Sequence, residues 1–175
     1  MKLKFSIIFC LTFLTLSAQE ITQTSASVDF KIKNMGFNVD GTFNDVTIST
    51  NFNSTDLENS YIKGVIKVNS IDTDNKKRDK HLRNKDYFEV EKYGTIKLTS
   101  TKIEKKSASK YQLTAKLTIK KTTKTITIPL EVKQTSDSIS IKSSFSINRL
   151  DFGVGESSWV LSDTVKIKVN FSGKK

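Results

Sequence analysis

Few residues of this chain could do chemistry. Its 175 residues hold one His (His81), one Cys (Cys10), one Trp (Trp159) and one Pro (Pro129). A Cys/His zinc site, a disulfide framework or a multi-histidine metal centre cannot be assembled from one Cys and one His. A nucleophilic Ser would need His81 as its base, and no nucleophile-elbow glycines surround any Ser. Gly153-Val154-Gly155 follows an extended pattern, but no helical pattern comes after it, so it is not a phosphate-cradling loop. Asp and Glu are scattered on faces that read as wet, which leaves a carboxylate pair as the one enzymatic alternative. The expectation is a protein with no catalytic residues, no metal and no cofactor. His81 is read as a hydrogen-bonded structural residue.

Charge is the next signal. Lys plus Arg number 29 against 18 Asp plus Glu, a formal charge of +11. Lys76, Lys77, Arg78, Lys80, Arg83 and Lys85 crowd into one short stretch. Such a cluster could meet anionic lipid headgroups or a pyrophosphate. The structural alternative is a solvated helical face, with Leu82 and Phe88 capping one end of the fold. Segment 75–86 is expected as a short helix, with Asp79 and Arg83 paired at i,i+4.

The first residues explain the compartment. Lys2 and Lys4 precede an apolar run of about a dozen residues, and Leu16-Ser17-Ala18 then offers small residues before Gln19. This is the grammar of a secretory signal peptide, and the run is short of the roughly 20 residues a spanning helix needs. Residues 1–18 are expected as the signal and 19–175 as one domain, exported to the periplasm or secreted. Cys10 would leave with the signal, so the domain would hold itself together without disulfides. Export also argues against nucleic acid as a partner, despite the basic balance.

The elements follow from a period of two. Val28, Phe30 and Ile32 alternate with polar residues, as do Leu113 to Ile119, Ile126 to Val132, Ile139 to Ile147 and Val165 to Phe171. Weaker runs cover 37–52, 61–71 and 95–103. Each reads as a strand with one apolar and one wet face. Asn34-Met35-Gly36, Lys121-Thr122-Thr123 and Ser136-Asp137-Ser138 are among the turn signals between them. The segment 150–162 is expected as a long loop. About eight such strands predict an all-β, eight-stranded antiparallel β-barrel, closed to remove its edges, with the short helix over one end. The inward apolar set is Phe30, Ile32, Phe43, Ile66, Leu98, Leu117, Ile128, Phe145 and Val169. Gly41, Gly64, Ala115 and Ser143 share that face, and such small residues either leave room or match bulky neighbours across a packed core.

Four segments, in order, carry a family resemblance. They are Ser27-Val28-Asp29-Phe30-Lys31-Ile32-Lys33 with Gly36, Val39, Gly41 and Phe43; Arg78-Asp79-Lys80-His81-Leu82 with Asp86-Tyr87-Phe88; Leu117-Thr118-Ile119 with Ile128-Pro129-Leu130; and Phe145-Ser146-Ile147-Asn148-Arg149-Leu150-Asp151-Phe152-Gly153. Together they resemble the YceI-like family of exported, polyisoprenoid-binding, lipocalin-like barrels. Asn34 stands where many members carry His, Lys121 replaces a hairpin Gly, and Gly94 replaces a Pro. The resemblance implies an apolar tunnel that holds an isoprenoid or other long-chain lipid, a quinone-like one included, with no chemistry done on it. It implies a lining of Phe30, Ile32, Phe43, Ile66, Phe88, Leu98, Leu117, Ile128 and Phe145, with Trp159 plugging or lining the mouth. Headgroup contacts fall to Asn34, Arg78, His81 and Arg149. Arg149 has a second reading, an ion pair with Asp151 that pins the following loop. The rival function is a structural or interaction barrel with a packed core and a basic surface contacting an anionic membrane or polymer. Peripheral membrane contact, and one barrel or a homodimer, stay open.

Overall fold

The computed structural model describes residues 21–175. The expected signal, residues 1–18 with Cys10, lies outside the described residues, as does the start of the expected 19–175 domain.

The elements are β1 (Thr22–Asn34), β2 (Phe37–Phe43), β3 (Val46–Thr50), β4 (Ile62–Lys67), β5 (Ile71–Asp72), α1 (Lys76–Arg83), β6 (Thr95–Lys105), β7 (Lys110–Ile119), β8 (Thr122–Gln134), β9 (Ser138–Asn148) and β10 (Leu161–Lys174). Every pairing is antiparallel, and the spatial order is β3-β4-β6-β7-β8-β9-β10-β1-β2-β5. Most neighbours are hairpin partners, as period-two runs separated by short turns dictate. The β1–β2 hairpin turns on Met35 (φ 50°) and Gly36 (φ 82°), the two positive φ values that a tight two-residue turn requires.

The expected count of eight strands is corrected to ten, and the expected closed barrel to a curled half-barrel. Runs 37–52 and 61–71 each break in two. The first splits into β2 and β3 at residues 44–45. The second splits into β4 and β5 at a 3-10 turn, Val68–Ser70. The two breaks lie against each other. Asn44 N donates to the Ser70 carbonyl (3.1 Å) and Lys67 N to the Asp45 carbonyl (3.0 Å). Asp45 N donates to Ser70 Oγ (3.0 Å). Paired kinks let the β3–β4 and β2–β5 ladders point in different directions, which a one-dimensional alternation does not register.

Closure fails for a related reason. β1 pairs with β2 only from Val28 onward. Its first half faces the free edge of β3 without a ladder. Ile21 N donates to the Thr50 carbonyl (3.3 Å). The Gln23 side chain spans the rest, accepting from Ile48 N at 2.6 Å and donating to the Val46 carbonyl at 3.1 Å. An amide side chain stands there in place of a strand's peptide group.

The interior has two unlike halves. At the end where β1 begins, Ile21, Phe52, Tyr111, Leu113, Ile139 and Phe171 are buried, and Phe52 meets Tyr111 edge to face at 5.1 Å. Burying side chains of this kind stabilises by about 1.5–3 kcal/mol each. At the other end, Phe30, Ile32, Ile66, Leu98, Phe145, Ile147, Ile167 and Val169 point inward yet are only half-buried. Side chains that face a sheet's interior and still meet solvent surround a hollow.

Helix α1 sits over that hollow end. Asn75 caps it by accepting from Arg78 N (3.0 Å). Asp79 is buried and accepts from Thr73 N (3.0 Å) and Thr73 Oγ1 (2.5 Å). The expected Asp79–Arg83 pair is therefore corrected. Arg83 instead donates to the carbonyls of Asn69 (3.0 Å) and Ile71 (2.8 Å). A buried carboxylate takes the donors that burial presents to it, and Thr73 offers two.

Candidate functional site: an apolar cavity open at one end

The half-barrel encloses a cavity of about 540 Å³. That volume lies within the range of small-molecule pockets, roughly 300–1,000 Å³. Its wall is built by the strand alternation, which delivers every second side chain of β1, β6, β9 and β10 to the interior. Its floor is the buried aromatic end. Its mouth lies between the β1–β2 hairpin, the strap formed by α1 with residues 84–88, and the connection 149–160.

Of the residues expected to line it, Phe30, Ile32, Phe43, Ile66, Phe88, Leu98, Leu117, Ile128 and Phe145 all do. Trp159 does not. Its side chain is fully exposed and lies outside the lining, so the expected plug is corrected. The loop turns Ser157, Ser158 and Val160 to the cavity and leaves Trp159 outward. Residues that the sequence reading passed over include Val39, Ile147 and Ile167. Alternation with Phe43, Phe145 and Val169 could have found them. Tyr87 and Val154 also line the wall, and no periodic signal announces them.

The four polar candidates, Asn34, Arg78, His81 and Arg149, all reach the cavity wall but in different states. Arg149 is buried and its donors are engaged. Nε donates to the Ser162 carbonyl (3.0 Å), Nη1 to Val154 (2.9 Å), and Nη2 to Leu161 (3.3 Å) and to Asp163 Oδ1 (3.0 Å). The expected Arg149–Asp151 ion pair is corrected, since Asp151 pairs with Lys124 at 3.0 Å. Arg149 thus ties the 149–160 connection to the top of β10. Gly155 (φ 69°) permits this, because a Cβ there would sit 2.9 Å from both Arg149 Nη1 and Tyr87 Cε1.

Arg78 is half-buried and holds Thr73, with Nε to Oγ1 (2.8 Å) and Nη2 to the carbonyl (2.5 Å). His81 is exposed and meets Tyr87 edge to face at 5.0 Å, a packing contact in place of the expected hydrogen bond. Asn34 ends β1 at the rim, paired with Phe37 and Leu161. The wall is mostly hydrocarbon; Ser143, midway along β9, also lines it but donates its hydroxyl to the Pro129 carbonyl (2.6 Å), and Asn34 and the residues 156–158 stand at the rim. Such a space can hold an apolar chain and offers a headgroup only its opening.

The small inward residues divide. Gly64 lines the cavity, and a Cβ there would find only Leu98 Cβ at 3.8 Å. Gly41 leaves no room, because the Phe30 ring covers it.

A family model described as YceI-like domain matches residues 20–172. A UPF0312 protein of Photorhabdus laumondii is 38% identical over 114 residues, covering 65% of this chain and 59% of that protein. One from Yersinia enterocolitica is 36% identical over 104 residues, covering 59% and 54%. The chain therefore spans little more than half the length of these curated relatives. Among solved structures, Burkholderia cenocepacia BcnA superposes with a TM-score of 0.80 at 26% identity, covering 84% of this chain and 95% of that one. The Campylobacter jejuni YCEI protein gives 0.73 at 24% identity, covering 98% and 93%. A polyisoprenoid binding domain from Saccharophagus degradans gives 0.70 at 17% identity, covering 89% and 97%, a likeness of fold alone.

Proposed function

The chain belongs to the YceI-like domain family, and from that premise we propose that it is an exported, non-enzymatic binding protein that holds one isoprenoid-type or other long-chain lipid in its cavity, as a carrier or sequestering protein. The observation that carries this reading is the division of the interior, packed at one end and hollow with a hydrocarbon wall at the other. The name of the Saccharophagus degradans neighbour, a polyisoprenoid binding domain, supports the ligand class.

The energetics agree. Each methylene-sized group moved from water into such a wall gains about 0.8 kcal/mol, so twenty carbons gain about 16 kcal/mol gross. That exceeds most of the roughly 4–15 kcal/mol lost in association. No specific polar contact is needed, which suits a wall that is mostly hydrocarbon. The bound chain would lie with its end group at the rim, near Asn34, Arg78 and His81. Arg149 is assigned to holding the loop, because its donors are already engaged. The rival reading, a packed-core barrel, is opposed by the half-buried inward row.

Native mass spectrometry of protein purified from its own host, followed by lipid extraction, tests the proposal. A long-chain apolar adduct that is lost in Gly64→Leu is the expected result. Protein that carries no apolar molecule, and takes up none from a lipid extract, overturns it.

A further inference from the structure

The four large apolar side chains most exposed in the described structure stand together at the cavity mouth. They are Met35, Phe37, Trp159 and Val160, exposed by 70%, 78%, fully and 52% respectively. Met35 and Phe37 belong to the β1–β2 hairpin, Trp159 and Val160 to the connection that enters β10. Met35 N donates to the Val160 carbonyl at 2.7 Å, so the two tips form one surface. That surface is continuous with the hollow. Phe37 extends the inward row of Val39 and Phe43 beyond the rim, and Val160 itself lines the wall.

A basic strap adjoins this patch. Tyr87 of the strap lies against Gly155 of the connection, and His81 packs on Tyr87. Lys76, Lys77, Lys80 and Lys85 are exposed there, and the one acid among residues 76–85, Asp79, is buried on Thr73. Lys33, at the top of β1, adds a further exposed cation. Of the acids near this end, Asp40 is paired with Lys31, Asp151 with Lys124 and Asp163 with Arg149, which leaves Asp74, Asp86, Glu91 and Glu156 as opposing charges outside any ion pair among the described residues.

We propose that the open end of the barrel seats on an anionic phospholipid bilayer. Met35, Phe37, Trp159 and Val160 enter the boundary between headgroups and acyl chains, and the lysines of the strap lie against the headgroups. Amphipathic anchoring needs this pair of features, an apolar face with an aromatic and a rim of Lys. The charge sign selects an anionic membrane over a neutral one. The geometry also gives docking a purpose, because a mouth held against the bilayer lets an apolar chain enter the cavity without crossing water. This inference deepens the lipid-binding reading and rests on it for that purpose, though docking itself is separable.

Trp159, the only tryptophan of the chain, reports on the proposal directly. The full protein is mixed with vesicles of phosphatidylethanolamine and phosphatidylglycerol. The expected result is a blue shift of Trp159 emission, quenching by bromine-labelled acyl chains, and weakening as salt is raised. Met35→Ser with Phe37→Ser, which keeps the reporter, is expected to lower vesicle affinity by about tenfold or more. Trp159→Ser, read by vesicle flotation, is expected to do the same. Gly64→Leu fills the cavity and leaves the rim untouched, so it is expected to dock normally while carrying no lipid. Docking and loading are thereby read separately: wild-type protein that docks but never loads sinks the cavity proposal alone, and wild-type protein that loads but never docks sinks the docking proposal alone. Unchanged Trp159 emission with vesicles overturns the docking proposal. So does concentration-dependent self-association, abolished by Phe37→Ser, in a protein that ignores vesicles, since the patch would then belong to a second copy.

Discussion

The ring of Phe30 lies across Gly41, its direct partner on the adjacent strand, with ring carbons 2.8 Å from where a Cβ would project. Phe30 also meets Phe43 at 5.6 Å, and Phe43 meets Phe88 at 6.1 Å. The glycine is therefore the seat of an aromatic row that runs from the wall of β1 to the strap. Gly41→Ala must displace that row. The expected cost is about 1–3 kcal/mol of stability, measured by urea unfolding. Gly64 has no such neighbour, so Gly64→Leu is expected to lose lipid capacity in native mass spectrometry with a far smaller change in unfolding midpoint.

Arg149 is a buried cation that satisfies three carbonyls and one carboxylate. Arg149→Met removes the donors and leaves these acceptors partly buried and unpaired. A loss of about 3–5 kcal/mol is expected, read by chemical denaturation. Arg149→Lys cannot reproduce the fork and is expected to recover only part of it. Loss of the mouth loop's order, seen as protease cleavage within 150–160, should accompany both.

Gln23 bridges the unpaired seam between β1 and β3. Gln23→Ala exposes one backbone donor and one acceptor, at an expected cost of about 1–3 kcal/mol. Hydrogen exchange at the Ile48 amide is the sensitive measure and should speed up in this variant before the rest of the sheet does. Gln23→Glu keeps the acceptor and loses the donor, so Ile48 protection should largely survive while stability still falls.

Met35 occupies a left-handed turn position, φ 50°, where Asn or Gly is easier. Met35→Asn is expected to raise stability by up to about 1 kcal/mol. If the rim docks on bilayers, the same substitution weakens vesicle binding. A gain in melting temperature together with a loss in flotation is the expected pair of results.

The candidate site was legible wherever period two held. Alternation alone turns Phe30, Phe145 and Leu117 to the interior; that the interior beside them is hollow is a property of the fold. Trp159 faces outward against expectation because no periodicity constrains a residue in an irregular connection. Asp79 and Arg83 do not pair, although helical spacing allows it, because that spacing ignores what lies beneath the helix. Thr73 and the carbonyls of Asn69 and Ile71, from other segments, offered better partners.

The order of residues by itself determined an antiparallel β fold with one apolar face, the position of the short helix, and the scarcity of groups able to do chemistry. Those follow from local geometry, in which each side chain's face depends on its neighbours two positions away. The tertiary structure decided that two strands kink, that the ladder stops short of closing, and that one half of the interior is filled while the other is hollow. These depend on volumes and directions summed over strands far apart in the chain. Phe30 filling the place of Gly41, and nothing filling the place of Gly64, is a distinction that arises only once both are surrounded.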